Sequence, residues 1–82
     1  MIIINQDKDM IVNLNNISSI RNNDVWDDKP GQMLTAVDIT GHTYSLGYYK
    51  NEKRAEEVLL TLATVIASTG DLEKEYFLMP KE

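Results

Sequence analysis

His42 is the only histidine and cysteine is absent, so the side chains most often used as general base and as thiolate nucleophile reduce to one imidazole. It follows Gly41 between two threonines, a setting that reads as a hairpin tip, where an imidazole meets water and no nucleophile motif stands beside it. No catalytic residue is expected, and the chain is not expected to be an enzyme. Asp24, Asp27 and Asp28 carry oxygens that suit a hard cation, but they lack the alternating acids, central glycine and distal glutamate of a calcium loop. They read as solvated loop acids, with no metal and no cofactor. Gly41, Gly47 and Gly70 are too dispersed to cradle a phosphate and read as a turn, a packed strand position and a helix stop. Tyr49 points away from the predicted core face and is the one tyrosine placed to stack on a base.

What remains is recognition. Trp26 is the only tryptophan and lies in Asp24-Val25-Trp26-Asp27-Asp28. Burying the indole there would draw unpaired carboxylates toward low dielectric, although the ring could also fold back on a sheet edge as packing. Exposed, it would join the residue type most enriched in interface hot spots to charges that steer a basic partner. Asp24, Trp26, Asp27 and Asp28 are therefore the candidate partner-binding residues.

The element that positions the rest is a helix expected over residues 51–69. Asn51 suits the N-cap, and Glu52, Glu56 and Glu57 lie near the positive end of the dipole. Ala55, Val58, Leu59, Leu62, Val65, Ile66 and Thr69 recur at three- and four-residue steps and form one apolar stripe, which Gly70 ends. The opposite side, with Leu60, Thr61, Ala63, Thr64, Ala67 and Ser68, is uncharged. It is either low-charge surface or a face covered by the C-terminal tail or a second subunit.

Upstream, Ile2 to Asn5 and Met10 to Leu14 flank Gln6-Asp7-Lys8-Asp9 and read as a hairpin. Pairing Asn5 with Met10 puts Met1, Ile3, Met10, Val12 and Leu14 on one face and Ile2, Ile4, Ile11 and Asn13 on the other. Both faces are apolar, so something must cover the second. Ile2, Ile4 and Ile11, with Leu60 and Thr64 on the helix, are the candidate self-association residues, and a homodimer is expected. The tail cluster Tyr76-Phe77-Leu78-Met79 competes to cap the same surface.

Ile17 to Arg21 has the weak pattern of a third strand, and residues 22–32, turn-rich and ending near Pro30-Gly31, read as an exposed connection. Met33 to Thr40 and Thr43 to Tyr49 form the best strand pair. Gly41-His42 as a two-residue loop pairs Ile39 with Tyr44, Val37 with Leu46 and Thr35 with Tyr48 on the core face. The expected fold is α+β: an antiparallel four- to five-stranded meander, one long C-terminal helix packed on one face, and a docked tail. One domain spans 1–82, with the sheet over 1–49, the helix over 51–69 and the tail over 71–82.

An 82-residue chain buries only about 60–65% of the surface its unfolded form exposes, so its core is modest. Thirteen acids against eight bases leave a net charge of −5, which repels phosphate backbones and disfavours direct nucleic-acid binding. The apolar run Met1-Ile2-Ile3-Ile4 stops at Asn5 without a basic flank, so neither a signal peptide nor a membrane span is expected. A cytoplasmic protein is the default expectation.

The segments MIIINQDKDMIVNLNNI, LGYYKNEKRAEEVL and YFLMP together resemble a family of short, functionally uncharacterised proteins of low-GC Gram-positive bacteria and their phages and mobile elements. The resemblance lends no catalytic residues. It implies an accessory or counter-defence factor that acts by binding. Two functions follow as expectations: a non-enzymatic inhibitor or regulator of a basic host protein, engaged through an acidic surface, or an oligomeric small-ligand or nucleotide sponge. The second needs clustered Arg and Lys, and the eight bases are scattered along the sequence, which favours the first.

Overall fold

Asn5 sets the register of the first hairpin. Its side-chain oxygen accepts from the backbone amides of Asp9 and Met10, its amide nitrogen donates to Asp9 Oδ1, and its backbone N–H donates to Met10 O. A short polar side chain thereby closes the loop from within, as asparagine commonly does in turns, and Lys8 takes the left-handed conformation (φ 61°). Strands β1 (Ile2–Ile4) and β2 (Ile11–Asn13) follow antiparallel, with Ile2 opposite Asn13, Ile3 opposite Val12 and Ile4 opposite Ile11, the expected register. Met1, Ile3 and Val12 point into the core.

The computed structural model describes residues 1–25, 31–68 and 76–82. A 3₁₀ turn, Leu14–Asn16, capped by the Asn13 side chain on the Asn15 amide, links β2 to β3 (Ile17–Asp24). With β4 (Gln32–Asp38) and β5 (Thr43–Tyr49), β3 forms an antiparallel sheet in the order β3-β4-β5. The expected exposed connection over 22–32 is thus shorter than its composition suggests: Asn22, Asn23 and Asp24 extend β3, and Gln32 opens β4 with its side chain buried and donating to Asp24 Oδ1.

The β4–β5 pairing differs from the two-residue loop. Asp38 N donates to His42 O and Gly41 N to Asp38 O, so the connection runs from Ile39 to His42, with Gly41 at positive φ (95°). Val37 therefore pairs with Thr43, Ala36 with Tyr44 and Thr35 with Ser45; a bulge then brings Leu34 opposite Gly47 and Gln32 opposite Tyr49. An odd shift turns a strand over, which is why Leu34 and Ala36 are fully buried while Val37 is only half-covered. The bulge does the same on β5, burying Tyr49 in place of Tyr48.

Helix α1 (Glu52–Ser68) begins where expected, with Asn51 Oδ1 accepting from the Arg54 amide at 2.7 Å. Its stripe buries Ala55, Val58 and Leu62, and the partly covered Leu59, Val65 and Ile66 pack on the same core. Its main contacts are to β3, β4 and β5. Burial of side chains such as Val58 and Leu62 contributes about 1.5–3 kcal/mol each.

The tail does not merely dock. It forms β6 (Tyr76–Leu78), which pairs in parallel with β1, Ile2 beside Tyr76 and Ile4 beside Leu78. The result is a second three-stranded sheet in the order β2-β1-β6. The single meander of four or five strands is thus replaced, among the described residues, by two three-stranded sheets sharing one core. Two features explain the choice: β1 still has a free edge after pairing with β2, and the Phe77–Met79 repeat sends both side chains inward, where Met79 is fully buried.

The two sheets are joined by Gln6. Its backbone N–H donates to Leu46 O, its side-chain oxygen accepts from Tyr48 N, and its side-chain nitrogen donates to Tyr48 O and Lys81 O. Gly47 leaves room for this approach, since a Cβ there would stand 3.2 Å from Gln6 Cβ and 3.0 Å from Tyr49 Oη.

Candidate interaction surfaces

The period-2 alternation that sends Ile3, Val12 and Phe77 inward sends their neighbours out. Ile2, Ile4, Ile11, Asn13, Tyr76 and Leu78 share the outer face of the small sheet, by the registers Ile2–Asn13, Ile2–Tyr76, Ile4–Ile11 and Ile4–Leu78. Ile11 is 66% exposed, Tyr76 63% and Leu78 45%, and none of these six residues is charged. Tyr76 to Met79 was expected to compete for covering Ile2, Ile4 and Ile11. Instead it joins their sheet edge-on and widens the apolar face with Tyr76 and Leu78. Leu60 and Thr64 are also exposed, but they lie on α1, away from the six-residue face. Thr61 Oγ1 and Thr64 Oγ1 donate back to Glu57 O and Leu60 O, and Ser68 Oγ to Val65 O. The hydroxyls are therefore spent within the helix, leaving its outer side less polar than its composition suggests.

Of the acidic candidates, Asp24 is exposed at the end of β3 and accepts from Gln32 Nε2 at 2.6 Å. Trp26, Asp27 and Asp28 lie outside the described residues.

At the β4–β5 tip, the Asp38 carboxylate organises the turn. Its Oδ1 accepts from Thr40 N, Thr40 Oγ1 and His42 N, and its Oδ2 from Tyr44 Oη. Bonds to the charged form, the Thr40 hydroxyl first, hold this carboxyl below the ordinary carboxylate range, and Tyr44's own hydrogen bond to Asp38 raises its phenol. His42 Nδ1 lies 3.0 Å from Thr40 Oγ1, which sets carboxylate, hydroxyl and imidazole in a row. Their order is that of a turn cap: the carboxylate accepts the hydroxyl's hydrogen bond directly, whereas nucleophile activation needs the imidazole between them. All three residues are part of one exposed turn. Among the described residues no group of three or more His, Cys, Asp or Glu side chains could hold a metal ion.

Tyr49, the candidate for stacking on a base, is instead 1% exposed, its hydroxyl donating to Pro80 O at 2.7 Å. Burial pushes its phenol up, against a smaller opposing pull from Arg54. Sequence reasoning missed one grouping: Lys50, Arg54 and Lys81 line a cavity of about 250 Å³ with Tyr48 and Glu82. The β6–β1 pairing brings Lys81 there, and no local pattern announces it. Arg54 is already engaged, its Nε donating to Glu82 O and its guanidinium paired with Glu57 at 3.4 Å.

Among the described residues no helix is long and apolar enough to cross a membrane. Comparison with family models, with curated proteins and with solved structures gives no match.

Proposed function

We propose that this chain is a non-enzymatic binding protein: an accessory factor of a phage or mobile element that self-associates and engages a basic host protein in the cytoplasm to inhibit or regulate it. The uncharged apolar outer face of the small sheet carries the reading. Five apolar side chains in three adjacent strands offer on the order of 400–500 Å², a patch of the size that marks interaction sites on soluble proteins. With a polar rim, the face approaches the roughly 800 Å² each partner gives to a standard interface. The six side chains of the face are themselves uncharged despite the net charge of −5, so the outer face serves self-association. Exposed acids such as Asp24 carry charge that steers a basic partner.

Sedimentation and lysate capture test this together. The wild-type chain should sediment as a dimer at micromolar concentration. Ile11→Asp, which sets a carboxylate in the face, should give a folded monomer with a melting temperature close to wild type. Capture from a low-GC Gram-positive host lysate should retain a basic protein at low salt and release it at high salt. A monomeric wild type at high micromolar concentration would refute the self-association. Hydrolysis of a generic phosphoester or peptide panel that vanished in His42→Ala would sink the non-enzymatic reading.

The sponge reading stands second, and the cavity at Lys50, Arg54 and Lys81 is what favours it. It ranks lower because Arg54 is paired within the chain. A small anion copurifying with the wild type and lost in Lys50→Ala would reverse the order.

A further inference from the structure

We propose that the free edge of β3, with the groove beside it, is the docking site for an extended peptide segment of a partner protein, which adds to the β3-β4-β5 sheet as a fourth strand. The proposal rests on the reading of the chain as a protein-binding factor and is independent of the small sheet's outer face.

The backbone supplies the first argument. Val25 N donates to Gly31 O, so that pair is of the mutually bonded kind, and the antiparallel alternation makes Asn23 and Arg21 the next residues bonded to β4. The N–H and C=O groups of Ile20, Asn22 and Asp24 therefore point away from the sheet. β3 ends its sheet, and no hydrogen bond to these outward groups exists among the described residues. β3 is also the longest of the described strands, at eight residues, whereas native edges are often kept short. Beyond the irregularity at Ile17/Ser19, its five-residue run from Ile20 to Asp24 is regular.

The second argument is the groove. Helix α1 overhangs β3, and Ile17, Ile20, Leu59, Leu62, Ala63 and Ile66 line a depression of about 310 Å³ without a charged residue. An open strand edge beside an apolar pocket is the combination used in strand addition, where main-chain bonds give affinity and pockets for alternate side chains give specificity. Asn22 Oδ1, on the same side of β3, is buried and accepts no hydrogen bond.

Charge sets the ligand's polarity. Asp24, Gln32 and Tyr49 align across the sheet, and α1 starts just after Tyr49 and runs back over the strands. Asp24, exposed at the end of β3, thus marks one end of the site with a carboxylate, while Arg21 belongs to the opposite face with Thr35 and Ser45. The other end, at Ile17, Ile20 and Ile66, is apolar. The complementary segment presents a large apolar side chain to the groove and Lys or Arg to the Asp24 end.

The test is selection of displayed random peptides of about nine residues on the immobilised full chain, followed by fluorescence-anisotropy titration of the enriched sequences. Enriched peptides should combine one large apolar residue with Lys or Arg. Their affinity should fall at least about tenfold for Ala63→Arg, which fills the groove from an exposed position, and for Asn22→Pro, which removes an outward N–H that the ladder does not use. Alternate N-methylation of the peptide backbone should have the same effect on the wild-type protein, and it keeps the test open if Asn22→Pro fails to fold. No enrichment, or binding indifferent to Ala63→Arg and to N-methylation, overturns the proposal. So does a wild-type dimer that Asn22→Pro dissociates, because a second copy then occupies the edge. Failed peptide selection with host capture intact removes this site alone, whereas failure of both removes the binding reading as well.

Discussion

Along β5 the outer edge of the larger sheet is occupied: Gln6 meets Leu46 O with its backbone and both backbone groups of Tyr48 with its side-chain amide. Along β3, in the same sheet, the outward groups of Ile20, Asn22 and Asp24 meet no protein partner among the described residues. One glutamine can do this because a primary amide carries a donor and an acceptor spaced much like those of a peptide unit. The difference shows that closing an edge takes very little chain, so an eight-residue edge left open is not forced by a shortage of material. In water the open groups are solvated and cost little, but they remain a template for another strand.

The largest expected effect breaks the closed side. Gln6→Ala removes the side-chain hydrogen bonds to both backbone groups of Tyr48, which are partly buried, and to Lys81 O, which is exposed, and should destabilise the chain by about 2–3 kcal/mol at roughly 1 kcal/mol per bond. Urea denaturation measures the loss, and hydrogen exchange at the Tyr48 amide should accelerate along with it. A loss under about 0.5 kcal/mol would mean that Gln6 merely decorates the edge.

A smaller effect concerns the turn that joins β4 to the closed-edge strand. The Asp38 carboxyl is depressed in the folded chain, so the folded state holds its proton less tightly than the unfolded state does. Its stabilising contribution is complete above the ordinary carboxylate value near about 4 and declines as pH falls below it. Asp38→Asn should therefore flatten the fall in melting temperature between about pH 4 and pH 2. An unchanged slope in the variant would assign the acid sensitivity to other groups.

The smallest effect sharpens the open side. Asn22→Ala removes a buried acceptor that has no partner, so stability should stay within about 0.5 kcal/mol of wild type or rise by up to about 1 kcal/mol. A loss as large as that of Gln6→Ala would show the two edges to be equally committed to the fold.

The parts of the fold that sequence reasoning recovered are those governed by near neighbours. Asn5 closes its own loop, which fixes the first hairpin's register, and Asn51 caps the helix three residues on. The β4–β5 register was not legible because Asp38 gathers Thr40, His42 and Tyr44 into a longer turn, and a bulge near Leu46 leaves no mark on the alternation. The outer apolar face was half legible. Ile2, Ile4 and Ile11 declared themselves, while Tyr76 and Leu78 depend on a parallel pairing between distant segments. The β3 edge was hidden for the same reason: which strand lies outermost is a property of the assembled sheet.

That parallel pairing also governs the order of events in time. Both hairpins of the larger sheet, the first hairpin and α1 are assembled from neighbouring stretches of sequence, whereas Ile2 beside Tyr76 joins segments from nearly opposite ends. Contacts at such separation form slowly relative to local ones. During synthesis, β1 emerges before β6 and waits for it until the residues between them have been made. Throughout that interval it offers an unpaired edge flanked by Ile2, Ile3 and Ile4, the three most adhesive consecutive residues in the chain. That edge is therefore most prone to aggregation in the interval before β6 arrives.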